Sequence, residues 1–430
     1  MKKLLGILGV SLAILIAIVG YAYYREDQRS AQYYADLAKM QTAVEESSES
    51  TEEYTTVTET YEESSEETAT ETDELIESTE EEYESEEEKV ITIDSSTHND
   101  MSYAYQKLNE DERAVYDVIY STIMEYEEKV TVPTLDYDMI DKAFNCVLID
   151  HPEIFNVNGY RYTKYTKAGE LKSIAFSPSY CYSKSETEKL NKDIDAAVDN
   201  ILSKVYAGAT EYQKIRYIYD VIVTSTEYDL NSSDNQNVIS VLINHRSVCQ
   251  GYSKAMQLLL GKMGIPCTLI TGTVKDGESH AWNAIKADGQ WYYTDVTWGD
   301  SSYKSASAES VDYAPEVNYD YLLVTSAEMG MTHVADTLIE YPYATAIDDN
   351  YYVKEGLYIT AYNPEQMKAI FDYARALGQK SVSFKCSDGI VYSQVRSELI
   401  DKQKVFDYLV VRQIRYVEDA NMRKLMFALQ

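Results

Sequence analysis

The chain has 430 residues, 45% of them hydrophobic, and a formal net charge of -34 at pH 7. Of its acidic side chains, 21 lie between Glu45 and Glu88, a stretch with no Lys or Arg, so the remainder is only moderately acidic. That balance excludes a basic nucleic-acid footprint, and five cysteines with no CxxC pair exclude a disulfide framework and argue against a zinc site.

Lys2 and Lys3 precede an uncharged apolar run from Leu4 to Tyr24. Its 21 residues rise about 31 Å as a helix, enough to cross a bilayer core of about 30 Å. The positive flank before the run and Glu26 and Asp27 after it predict a single-pass anchor over residues 4–24. The amino terminus is then inside and the globular part outside the cell membrane. The alternative is a cleaved signal peptide and secretion, although the run is long for one and Ala22 is followed by Tyr23, Tyr24 and Arg25. Residues 1–29 form this segment. The tract Glu45–Glu88 adds 16 Ser or Thr to its acids and has almost no large aliphatics. It cannot bury enough apolar surface to offset chain entropy, and its charges repel. A disordered acidic stalk is expected over residues 30–98.

From about Asp100 the composition becomes globular. Asn109 and Glu112 predict a helix start, with Val115, Ile119 and Ile123 on one face. A second helix is expected over Tyr137–Leu148. Strands follow at Asn158–Tyr165 and Leu171–Ser177 around an Ala168-Gly169 turn. Ser185–Glu188 is read as the cap of a helix striped by Leu190, Ile194, Val198, Ile201 and Val205. Thr210–Gln213 caps another through Ile215, Ile218 and Ile222. His151 and His245 fit structural or surface positions. These elements make residues 99–208 a helical and β N-terminal part.

Residues 209–345 read as the core. Cys249 stands just ahead of a helical pattern in which Tyr252, Ala255, Met256, Leu259 and Met263 share a face. A thiol at a helix N-terminus meets unpaired N–H groups and the positive end of the dipole, which favour the thiolate and can stabilise an oxyanion. Taken alone, such a Cys is more often a small buried residue. Residues 264–274 read as turn and strand, and 280–286 and 291–297 as two more strands joined through Asp288-Gly289, a hairpin signal. If the turn closes with two or four residues, Trp282 faces Asp295 and His280 faces Thr297. His280 and Asp295 then become diagonal neighbours on one sheet face, roughly 7–8 Å apart by backbone. A buried Asp against one imidazole nitrogen leaves the other for a thiol. A change of loop parity would separate them.

Beyond Asp300, residues 301–317 read as a polar loop and 319–324 as a strand. Residues 346–430 read as a small α+β accessory module. It has a strand at 356–362, a helix at 364–377, a strand at 381–386, a helix at 399–409, and strands at 411–417 and 423–428.

The blocks CysGlnGlyTyrSerLysAla (249–255), GlyIleProCys (264–267), HisAlaTrpAsn (280–283) and AspGlyGlnTrpTyrTyrThrAspValThrTrpGlyAsp (288–300) together resemble the transglutaminase-like superfamily, particularly its exported bacterial branch. The likeness covers roughly 210–335, including Tyr228-Asp229 and His333. It implies an α+β, papain-like fold with Cys on a helix N-terminus and His and Asp on adjacent antiparallel strands. It further implies Cys249 as nucleophile, His280 as general base and acid, and Asp295 as orienter. The calcium ligands of animal relatives have no recognisable counterpart, so neither metal nor cofactor is expected. Tyr252, Trp282 and Trp298 are candidates to line or shield the cleft, with core packing as their other reading. The expected partner is an extracellular or cell-surface protein or peptide, wall peptides included. A thioester on Cys249 would pass to an amine or to water. The alternative is a non-catalytic cell-surface binding module that retains the fold.

Overall fold

Asn109 opens the first long helix. Its side chain accepts from the Glu112 N–H at 3.0 Å, and the Glu112 carboxylate accepts from the Asn109 N–H at 2.8 Å. This closes the expected capping box. The computed structural model describes residues 60–62, 102–275, 277–300, 315–409, 411 and 413–429. The expected anchor over residues 4–24 and residues 301–314 of the loop expected over 301–317 lie outside the described residues. Among the described residues no helix is long and apolar enough to cross a membrane. Most of the expected disordered stalk also lies outside them. Its Thr60–Glu62, however, forms a short strand, β1, so the tract is not uniformly without secondary structure.

Helices α1 (Tyr103–Lys107), α2 (Glu110–Glu125) and α3 (Tyr137–Asp150) pack with an antiparallel sheet. Its strands are β1, β2 (Val130–Val132), β3 (Val157–Lys167) and β4 (Glu170–Tyr180), in the order β1-β3-β4-β2. Ala168 and Gly169 turn the β3–β4 hairpin at positive φ, 54° and 79°. Buried Asp150 ties α1 to α3 by accepting from the Ala104 and Tyr105 N–H groups, both at 2.8 Å.

The central region contains α4 (Lys184–Leu202), α5 (Glu211–Ser225), α6 (Val238–Leu242) and α7 (Cys249–Lys262). Two short strands, β5 (Glu227–Tyr228) and β6 (Arg246–Ser247), pair in parallel ahead of α7. The main sheet has the order β10-β7-β8-β9. Its strands are β7 (Cys267–Val274), β8 (Ser279–Ala287), β9 (Gln290–Thr294) and β10 (His333–Ala335), all antiparallel. Helix α7 is locked to β8 by two buried hydrogen bonds. The Ser253 hydroxyl donates to the Ala281 carbonyl at 3.0 Å, and the Asn283 amide donates to the Ser253 carbonyl at 3.1 Å.

After α8 (Ser326–Met329) and α9 (Tyr351–Lys354), the C-terminal part forms its own sheet, ordered β11-β12-β14-β13. Here β11 (Tyr358–Ile359) runs parallel to β12 (Ser381–Cys386), which pairs antiparallel with β14 (Lys424–Ala428). β13 (Tyr416–Asp419) forms the other edge. Helices α10 (Pro364–Ala376) and α11 (Gly389–Arg396) bury Phe371 and Val395 against Phe384, Leu425 and Phe427. Asp320 joins this part to the central region. Its carboxylate accepts from the Tyr352 hydroxyl at 2.6 Å and pairs with Lys424, while its carbonyl accepts from Lys385 Nζ at 3.0 Å.

Several elements differ from expectation. The cap of α4 is Ser183 with Glu186, not Ser185 with Glu188. The sequence SerLysSerGluThrGlu holds two overlapping Ser-x-x-Glu frames, and the chain uses the first. Residues 319–324 are not a strand. Leu323 sits at φ 55°, and only Val324 bridges to Tyr293. The strand expected over 291–297 ends at Thr294, because the Asp295 N–H turns to the Tyr321 carbonyl at 3.1 Å. The helix expected at 399–409 begins earlier, where the Asp388 side chain accepts from the Ile390 and Val391 N–H groups. It continues as a π-turn over Ser397–Asp401 and a short 3-10 turn over Lys404–Asp407. The strand expected at 411–417 forms over Tyr416–Asp419 instead.

Candidate active site

The Asp288-Gly289 turn sets the geometry. Asp288 and Gly289 adopt φ 46° and 80°, and Ala287 pairs with Gln290, so the loop holds two residues. Two successive left-handed residues match the twist of a tight hairpin, and Gly supplies the second without steric cost. Asn283 therefore faces Thr294, and Trp282 and Asp295 occupy the next position in that register. His280 and Asp295 meet: His280 Nε2 lies 2.8 Å from Asp295 Oδ2. Both are buried, at 5% and 0% exposure.

Asp295 has a full set of donors. Oδ1 accepts from the Thr297 N–H at 2.9 Å and the Trp298 N–H at 3.1 Å. Oδ2 accepts from His280 and also from His333 Nε2, at 3.1 Å. Burial alone would raise the Asp295 carboxyl, but His280 and then His333 outweigh it and hold it well below the usual carboxylate range. The carboxylate is therefore ionised, and the Nε2 proton of His280 points to it.

Cys249 is the first residue of α7 and half-buried. The cap position is Val248, whose side chain offers no acceptor to the helix N-terminus. The thiol lies within hydrogen-bonding reach of His280. With Nε2 engaged by Asp295, Nδ1 is the nitrogen left available to the thiol. Burial opposes charge on His280. The Asp295 carboxylate, followed by Cys249, outweighs burial and pushes the imidazole up to about 10. Cys146, Cys267 and Cys386 are buried, and burial raises all three, to about 12 for Cys146 and Cys386.

Of the three candidate cleft aromatics, Tyr252 and Trp282 are buried and Trp298 is half-buried. Tyr252 is fully buried, and its hydroxyl donates to the Thr226 carbonyl at 2.9 Å. It lies three residues on from Cys249 and faces the core. Trp282 is 1% exposed and packs behind His280 and His333, with ring centroids at 6.2 and 4.9 Å. Trp298 is half-buried, 5.8 Å from His280 and 4.5 Å from His333. A cavity of about 430 Å³ is lined by Asn145, Leu148, Gln250, Lys254, Thr271 and Asp336, among others. Gln250 and Lys254 sit one helical turn apart on the same face, and Gln250 follows Cys249 directly.

Sequence reasoning gave His333 no role, although it fell within the stretch that carried the likeness. It also missed the Ser253–Asn283 lock. Among the described residues, His280, Asp295 and His333 form a group whose donor atoms lie within 4.8 Å of one another, the kind of set that can hold a metal ion. Both imidazoles converge on one carboxylate oxygen at hydrogen-bond lengths, so proton donation from the rings accounts for these contacts.

Residues 200–296 match the family model described as the transglutaminase-like superfamily. Kyphoscoliosis peptidase from Homo sapiens is 25% identical over 122 residues, covering 25% of this chain and 18% of that protein. The Mus musculus protein of the same name is 24% identical over the same length and coverage. The chain thus spans less than a fifth of the curated relatives it matches. A solved structure described as that of a TGase is 14% identical, covering 37% of this chain and 48% of that one, with a TM-score of 0.25.

Proposed function

We infer that residues 200–296, which match the transglutaminase-like superfamily model, form a domain of that kind. On that premise we propose that the chain is a cysteine acyl-transfer enzyme with Cys249 as nucleophile, His280 as general base and acid, and Asp295 as orienter. The observation that carries the reading is the 2.8 Å contact of His280 Nε2 with Asp295 Oδ2, which leaves Nδ1 available to the Cys249 thiol at the start of α7.

The cycle follows from these atoms. The Cys249 proton moves to His280 Nδ1, giving thiolate and imidazolium. The thiolate attacks the carbonyl of a glutamine carboxamide or peptide amide. As the C–N bond breaks, Nδ1 returns its proton to the departing ammonia or amine, and a thioester remains. An incoming amine or water then loses a proton to Nδ1, attacks the thioester and releases the Cys249 thiolate. Asp295 stays ionised throughout and stabilises each imidazolium. The uncapped first turn of α7 directs N–H groups toward the developing oxyanion. The cavity beside Gln250 is the candidate acyl-substrate site. The apolar run at 4–24 and the acidic tract support a protein tethered to the cell membrane with this site outside. Its substrates would then be surface proteins or wall peptides.

Iodoacetamide labelling of the full chain tests the reading, with Cys181→Ala removing the exposed thiol. Cys249 is expected to label faster than the three buried thiols and to slow in His280→Ala. The same protein, given a glutamine-containing peptide library and a tagged amine, should yield amine incorporation or hydrolysis by mass spectrometry. Neither product, together with a Cys249 rate unchanged by His280→Ala, would favour the binding-module alternative.

A further inference from the structure

His333 is a buried imidazole for which the acyl-transfer cycle has no task. It begins β10, is 4% exposed, and places Nε2 3.1 Å from the oxygen of Asp295 that also receives His280. An ionised carboxylate can only accept, so His333 Nε2 donates whatever the charge of its ring. The other nitrogen, Nδ1, meets Thr332 Oγ1 at 2.8 Å. Trp298, Trp282 and Tyr321 enclose the ring, with centroids at 4.5, 4.9 and 5.6 Å. The imidazole is held at both nitrogens and walled on its faces.

Its value lies in what else touches Asp295. Oδ1 is fixed by two backbone N–H groups, whereas Oδ2 would otherwise answer only to His280. His280 gains and loses a proton in every cycle and turns between sulfur and leaving group. A donor that takes no part in those transfers keeps Oδ2 in place while its other partner changes. We propose that His333 is a positioning residue that acts through Asp295, holding Oδ2 in line with His280 through the catalytic cycle.

This inference rests on the roles given above to Cys249, His280 and Asp295. It is tested by the pH dependence of Cys249 alkylation in full-length protein carrying Cys181→Ala. His333→Leu is expected to slow alkylation about tenfold, the equivalent of one lost hydrogen bond to a charged group. It should also move the acid limb to higher pH, because buried Asp295 loses a donor. His333→Gln, whose side-chain amide can donate, should recover the rate to within about threefold. In an Asp295→Ala background His333→Leu should have no further effect, since its route is gone. Thr332→Val releases the ring at Nδ1 and should give the same shift at smaller amplitude; it replaces the leucine variant if that protein does not fold. An unchanged rate and acid limb in both variants overturns the inference, as does an equal slowing with Asp295 absent. If wild-type Cys249 is no faster than in His280→Ala, the acyl-transfer reading falls and this inference with it. A fast wild type with silent His333 and Thr332 variants removes this inference alone.

Discussion

His280 links the site to stability. Asp295 and Cys249 push its imidazole up to about 10, above the unfolded value of about 6.5. A raised histidine stabilises the fold fully below the unfolded value, and the contribution is lost as pH rises through the folded one. Chemical denaturation of the wild type should therefore show stability declining between about pH 6.5 and 10, and His280→Gln should flatten that decline. An identical slope in both proteins would mean that His280 is not the group responsible. The contact behind this was legible in the sequence because Asp288-Gly289 fixes the register of two neighbouring strands by itself. His333 was not legible in the same way. It lies 38 residues beyond Asp295, too far along the chain for one hairpin turn to fix its register.

At the scale of elements, the approach of α7 to its surroundings controls where Cys249 stands. A Cβ on Gly251 would meet Ser247 Oγ, Ser240 Oγ at 2.6 Å and the Asn235 carbonyl at 2.8 Å. The last is backbone and cannot swing aside. Helix propensity alone predicts that Gly251→Ala gains about 1 kcal/mol. The crowding predicts the opposite sign, a loss of about 1–3 kcal/mol, with slower Cys249 alkylation as the helix start shifts. Denaturant midpoints decide between them, and a stabilised variant would refute the crowding argument. Helix α7 itself was readable from its apolar stripe, whereas its contact with the Ser240–Ser247 pair depends on tertiary packing that no local pattern encodes. The α4 cap shows a related limit: two overlapping frames obey the same rule, and local chemistry does not choose between them.

Across the whole molecule, the C-terminal part is bound to the centre by buried charge. Burial opposes ionisation of Asp320, but Lys424 and Lys385 outweigh it and hold the carboxyl down at about 2. Removing that carboxylate leaves two ammonium groups beside an empty position, one of them on Lys385, which is 2% exposed. Asp320→Ala is expected to cost about 3–5 kcal/mol, as breaking a buried pair does. Urea titration checks this, and a loss below about 1 kcal/mol would place the pair among surface ion pairs. Sequence reading found the C-terminal part as an α+β unit but not this joint. Asp320, Lys385 and Lys424 lie on separate segments, and each alone reads as a solvated charge. The cavity beside Gln250 was hidden for the same reason, since its walls come from α3, α7, β7 and the chain after β10.

The joint has a consequence for cooperativity. The residue after Asp320 is Tyr321, whose carbonyl receives the Asp295 N–H at 3.1 Å. The clamp on Asp320 and the backbone hold on Asp295 therefore act on neighbouring peptide units. Opening of the C-terminal sheet and misalignment of Asp295 become one local unfolding event with one free energy, so the two parts share a single threshold for losing order.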